Sequence, residues 1–248
     1  MSFLKISLLS VVAFRFNRTV LSMPHREFSL FILYSLIAFG MHHYTELAIF
    51  EYSLKPIETF LHEGAHGIAT LLTGNQIEAF HLEWREGHVL SSFAHGGRID
   101  RIIVGLTGYV GASVFGFTIY TATLWPRLVR AMKLVLIMMV TYFSIYADGL
   151  NTLFMLAFVA GVFVLCWLMN DWGVYLLRFI GVFVMISAIY TPTYLWAYDR
   201  SGDHIFMSKL TFLPSSIFII LWVALSILLL WLAYRVTPTK IQPLNDMT

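Results

Sequence analysis

The sequence predicts an all-α polytopic membrane protein of six to seven transmembrane helices, with a small β-hairpin inserted after the second. Three observations predict it. Of 248 residues, 58% are hydrophobic and only 12% charged, whereas soluble domains carry roughly 25% charged residues. Mean hydropathy is +0.76. The apolar residues also gather into seven runs, about 28–50, 54–73, 103–125, 132–147, 150–169, 174–196 and 213–234, most of them near the ~20 residues that cross a bilayer as helix. The net charge of +2 and the lack of a basic cluster interleaved with aromatics exclude a nucleic-acid partner. Cys166 is the single cysteine, so no internal disulfide forms, and its apolar surroundings suit a buried thiol.

Residues 1–27 read as an N-terminal interfacial segment: Leu8 to Phe14 is apolar, but Arg15, Asn17 and Arg18 follow, with no small-residue cleavage site. Residues 28–235 form the membrane-embedded domain, and 236–248 a polar C-terminal tail. In the second run, Pro56 suits a first helical turn, where its missing N–H is harmless, and Gly74 suits the end. Residues 76–95 change period: Ile77, Ala79 and His81 alternate with Glu78, Phe80 and Leu82, and Glu86-Gly87 offers a turn, which together read as a hairpin. In the third run Gly108, Ala112 and Gly116 make a small-residue face, read as helix packing rather than chemistry. The fourth run is short and ends at Asp148-Gly149; it reads as a broken or half-length helix that the fifth continues. Lys and Arg divide almost evenly between the two sides, with a slight excess favouring a cytoplasmic N-terminus.

The second run also carries His62-Glu63-Gly64-Ala65-His66. Histidines at i and i+4 share one helical face, so both imidazoles can reach one ion, and the intervening Glu can meet a water bound there. In mid-membrane each such group costs about 2–3 kcal/mol or more unless it is used. The pattern predicts a Zn2+ site with His62 and His66 as ligands and Glu63 as catalytic base. A hydrolytic zinc site takes three protein ligands. The third is sought among the few later carboxylates, where Asp148 and Asp203 compete and topology does not choose between them. Asp100 and Asp171 read as loop charges. His42, His43, His81, His88, His95 and His204 read as interfacial or solvated, with His204, beside Asp203, the one to watch.

These residues resemble the site-2 protease family of intramembrane zinc metalloproteases, especially its B-type branch. The resemblance covers about residues 55–235. His62 to Ala69 is similar to the family's HExxH helix, Ile77 to Gly97 to its hairpin, and Leu106-Thr107-Gly108-Tyr109-Val110-Gly111-Ala112-Ser113-Val114-Phe115-Gly116 to the branch's AGYLGSxLFG segment. Gly202-Asp203-His204, then Leu210 to Pro214 and Trp222, resembles an SDA…LTGxP…W pattern, with His204 where the pattern has Ala. Asp148-Gly149 resembles the Asp-Gly pair of other members, without the preceding Asn and Pro. The resemblance favours Asp203 slightly.

The expectation is a multi-pass protein of the bilayer, by resemblance a bacterial inner membrane, that hydrolyses peptide bonds in or beside transmembrane segments of membrane-protein substrates. The alternatives are a non-proteolytic metal-binding or metal-transporting protein, and a silent relative that binds partners through the third run.

Overall fold

The computed structural model describes residues 26–93, 97–197 and 201–237. The interfacial segment expected for 1–27, the polar tail from 238 onward and His95 lie outside the described residues, apart from Arg26 and Glu27, which open the first helix. The described chain is mostly helical: α1 Arg26–His43, α2 Ala48–Leu72, β1 Gln76–Leu82, β2 Gly87–Ser92, α3 Arg98–Ala122, α4 Pro126–Ser144, α5 Leu150–Leu168, α6 Asn170–Tyr194, α7 Asp203–Thr211 and α8 Ser215–Val236. Four helices (α3, α5, α6 with its 3-10 extension to Ala197, and α8) are long and apolar enough to cross a membrane. In α5 only 28% of the most apolar 18-residue window is buried. A helix apolar all round yet mostly uncovered by protein has its outward face toward lipid.

The core runs along α6, where Ile180 and Val182 to Met185 are fully buried. Where α3 crosses it the backbones nearly touch: a methyl on Gly116 would lie 2.8 Å from the Gly181 carbonyl oxygen. The small-residue face read from the sequence permits that approach.

Several element boundaries differ from the sequence expectation. The first run is not one helix: α1 stops at His43, and a 3-10 turn over Thr45–Leu47 leads into α2. Pro56 therefore lies inside α2 rather than in its first turn. Proline has no N–H for the carbonyl four residues back, which is that of Tyr52. Trp84, at the hairpin tip, supplies the missing donor: its Nε1–H meets the Tyr52 carbonyl at 2.8 Å, and the two rings stack. A related contact occurs in α6, with a hydroxyl that also lies 2.8 Å from the Trp222 carbonyl of its own helix. Pro192 frees the Ala188 carbonyl, and the Ser226 hydroxyl of α8 stands 3.2 Å from it. Helix α4 starts at Pro126 and ends before a turn at 145–149, so α5 does not continue it. The last run begins at Ser215, with α7 a separate short helix before it.

The hairpin is antiparallel, with His81 opposite His88. Its turn is Glu83 to Glu86, closed by the Glu83 N–H on the Glu86 carbonyl at 2.8 Å, and Gly87 opens β2 instead of forming the turn. A register shift between Ile77 and Ala79 explains the imperfect alternation: Ile77, Phe80 and Leu82 are the buried residues, because the bulge at Glu78 inverts the phase of the strand. The outer side of β1 is joined by the chain after α4, with Phe80 N–H donating to the Tyr146 carbonyl (2.7 Å) and Asp148 N–H to the Phe80 carbonyl (3.2 Å). Among the described residues, β2 keeps an unpaired edge.

Candidate metal centre

His62 and His66 lie one turn apart on α2, and Asp203 comes to them from α7. The Asp203 carboxylate Oδ2 is 3.1 Å from His62 Nε2 and 3.3 Å from His66 Nε2. One donor atom from each of the three lies within 4.8 Å of the others. Zinc–nitrogen and zinc–oxygen bonds of ~2.0–2.2 Å at tetrahedral angles place neighbouring donors ~3.3–3.5 Å apart. Both nitrogen–carboxylate separations are close to that edge length. The donor set, two imidazoles and one carboxylate, suits zinc.

Each donor is aimed by local structure. The His66 Nδ1–H donates to the Val104 carbonyl of α3 at 2.7 Å, which fixes the tautomer and leaves Nε2 bare toward Asp203. The Tyr109 ring stands edge-on to His62 at 4.4 Å between centroids and packs in turn on Trp222 of α8. Asp203 opens α7 behind Gly202, whose φ of +107° is a conformation that a side chain strains. The Gly202 carbonyl accepts the N–H groups of Ile205 and Phe206. Asp203 and Met207, at i and i+4, share a face of α7. Met207 is fully buried with Tyr109, Phe218 and Trp222, and this anchors the helix that delivers the carboxylate.

Room for the site comes from α3. A methyl on Gly108 would overlap Nε2 of both histidines and lie 2.6 Å from His62 Cε1. The face read from the sequence as packing alone thus borders the donors. Glu63, buried at 7% exposure, lies beneath the hairpin: a methyl on Gly87 would come within 2.7 Å of its Cγ. A family model of Peptidase M50B-like proteins matches residues 31–233.

The chain belongs to the Peptidase M50B-like family. Membership agrees with the resemblance carried by the HEGAH helix and the glycine-rich third segment, and it implies a metalloprotease. Four apolar helices together with that family point to an integral membrane protein. No curated protein and no solved structure matches the chain.

The other carboxylate weighed as third ligand of the M50B-like chain, Asp148, stands apart from His62 and His66. Its Oδ2 is 2.6 Å from His81 Nδ1 and its Oδ1 accepts the Thr152 hydroxyl at 2.6 Å. These contacts, Thr152 first, hold the Asp148 carboxyl below the usual carboxylate range. Two histidines expected at interfaces are packed against protein, His42 partly and His204 fully buried. His42 is stacked between Phe183 and Tyr190, with Nε2 2.8 Å from the Ser187 hydroxyl; His204 is 1% exposed. The sequence reading also passed over a polar pair one turn before the histidines. Lys55 Nζ donates to Glu58 Oε2 at 2.8 Å, and the Thr191 hydroxyl to Glu58 Oε1 at 2.9 Å. The i, i+3 spacing of Lys55 and Glu58 was the available signal.

Proposed function

We propose that this chain is an intramembrane zinc metalloprotease that hydrolyses peptide bonds in or near transmembrane segments of other membrane proteins. The observation that carries the proposal is the convergence of the Asp203 carboxylate on Nε2 of both His62 and His66, inside a chain of the M50B-like family. His62, His66 and Asp203 would hold Zn2+. Bound there, the ion would polarise the scissile carbonyl and acidify water.

The protein's own groups do the rest. Glu63 accepts a proton from the attacking water as the carbon–oxygen bond forms, then gives it to the amine nitrogen as the carbon–nitrogen bond breaks. The Val104 carbonyl keeps His66 in one tautomer and one orientation. A transmembrane substrate must unwind first, because helical peptide bonds are already hydrogen-bonded. The unpaired edge of β2 supports a place for the unwound segment, where it adds as a strand. Alongside the four most apolar helices, α1, α2 and α4 would also cross the bilayer: 18 residues of helix, as in α1, span ~27 Å. That gives seven spans, with α7 dipping between α6 and α8. By the resemblance, the membrane is a bacterial inner membrane.

The partly buried Lys55–Glu58–Thr191 group extends polarity along α2 and favours a second reading, a metal-transporting protein, since such a path uses several intramembrane polar groups. The deciding measurement is zinc content and cleavage of a membrane-protein substrate in detergent or vesicles. The protease reading expects about one tightly held zinc per chain that is lost in His62→Ala/His66→Ala and kept in Glu63→Gln, with cleavage abolished in both variants. A Glu63→Gln protein that still cleaves, or a wild type that takes up no zinc, overturns it.

A further inference from the structure

A second group of donors lies outside the His62–His66–Asp203 centre. His81 of β1 and His88 of β2 face each other across the hairpin, with rings stacked at 4.7 Å and 23°. Asp148 reaches them because the chain after α4 runs beside β1, tied through the Phe80 backbone. Its Oδ2 is 2.6 Å from His81 Nδ1, and the Thr152 hydroxyl orients the other oxygen. One donor atom from each of His81, His88 and Asp148 lies within 4.8 Å of the other two. Glu83 Oε1 is a further 3.4 Å from His81 Nε2. The donors therefore come from three adjacent extended segments and form a row across them. His88 and Asp148 are exposed and His81 is partly so, which leaves the row uncovered by the rest of the protein.

A His81–Asp148 hydrogen bond alone accounts for one imidazole, not for two brought face to face. Two imidazoles and a carboxylate brought together from three segments make a nitrogen-and-oxygen donor set of the kind that holds a cation. Imidazole with carboxylate selects Zn2+, Co2+, Ni2+ or Cu2+ over Mg2+ and Ca2+, which prefer all-oxygen sites.

We propose that His81, His88 and Asp148 form a second, surface site for a divalent transition-metal ion, which pins the hairpin to the α4–α5 connection. The residue before His88 is Gly87, the one that lies against Glu63. An ion held by His88 thus fixes the strand that covers the general base. The site itself is independent of the zinc protease reading; only its effect on Glu63 rests on that reading.

The test uses the full chain in detergent, with any purification tag removed, after loading with zinc and dialysis to leave the tightly held ion. Co2+ is then titrated, followed by its visible absorption and by metal analysis. One further ion per chain is expected. Its affinity should fall at least tenfold in His88→Ala and in Asp148→Asn and be unchanged in His62→Ala/His66→Ala. Hydrogen exchange in 76–92 should slow with Co2+ in the wild type and not in His88→Ala. The proposal is overturned if no second ion binds up to millimolar Co2+, or if His88→Ala binds it as the wild type does. His88 is exposed, so its loss leaves the fold intact, and the wild-type titration decides by itself. Failure of the zinc reading would show separately, as absence of the tightly held ion before cobalt is added.

Discussion

Replacing Gly108 with alanine tests the geometry of the metal centre through a single methyl group. On the present backbone that methyl would sit 2.6 Å from His62 Cε1 and overlap Nε2 of both histidines. Carbon atoms rest at ~3.5–4.0 Å, so the imidazoles or α3 must give way by about 1 Å. Ligand distances in a metal site hold to about 0.2 Å, so the displacement exceeds the tolerance roughly fivefold. Loss of a group that merely orients a ligand costs ~10–100-fold in metal affinity; direct intrusion on two proposed ligands should cost at least the upper end, about 2.8 kcal/mol at 1.4 kcal/mol per factor of ten. Helix propensity opposes any general destabilisation, because alanine is the better helix former by about 1 kcal/mol. The assay is competition of purified protein against a chromophoric zinc chelator. The control is Gly161→Ala on α5, where the new methyl meets nothing within 4 Å. We expect Gly108→Ala to lose its zinc and Gly161→Ala to keep it. A Gly108→Ala protein with wild-type zinc affinity would refute the placement of α3 over the two histidines.

Further expectations follow from the same contacts. Asp203→Ala should abolish tightly held zinc, whereas Asp148→Ala should leave it in place; the reverse pattern, by metal analysis, would make Asp148 the third ligand. Trp84→Phe keeps the ring over Tyr52 but removes the donor to its carbonyl, and should cost about 1 kcal/mol, seen as faster hydrogen exchange at the hairpin tip; unchanged exchange would show the bond to be dispensable. Ser226→Ala leaves the Ala188 carbonyl and the Ser113 hydroxyl without their shared partner and should cost about 1–3 kcal/mol. A thermal unfolding midpoint equal to wild type would count against that bond.

How much of this was legible in the sequence depends on the range of the signal. HEGAH was readable because both proposed ligands and the proposed base sit on one helix, and the i, i+4 rule places them without any tertiary knowledge. The carboxylate that joins the two histidines was not, because Asp148 and Asp203 each sit in a connection far along the chain, and only the packing of Met207 against α3 and α8 brings one of them to the histidines. Gly108 was visible as a small residue. Which side of α3 meets α2, and hence that it borders the imidazoles, is a property of the assembled bundle. The hairpin was foreseen from its change of period, but its phase was not, since the bulge after Ile77 leaves no local mark that alternation can detect. Pro56 misled for the opposite reason. Local rules put proline at a helix start, and its interior position depends on a tryptophan 28 residues downstream that takes over the orphaned carbonyl.

That last arrangement bears on how the chain can change over evolutionary time. Pro56 is tolerable in α2 as long as Trp84 is present, while Trp84 loses half its purpose once Pro56 is gone. The pair is therefore epistatic and ordered. A lineage could replace Pro56 first, closing the ordinary helical bond, and afterwards vary the hairpin tip freely; the opposite order passes through an intermediate with a stranded carbonyl. Pro192 and Ser226 pose a weaker version of it between α6 and α8, because the Ser226 hydroxyl also faces the Trp222 carbonyl. Two helix-breaking residues have thus become commitments that tie distant segments of the gene to one another, and drift at one site is licensed by the state of the other.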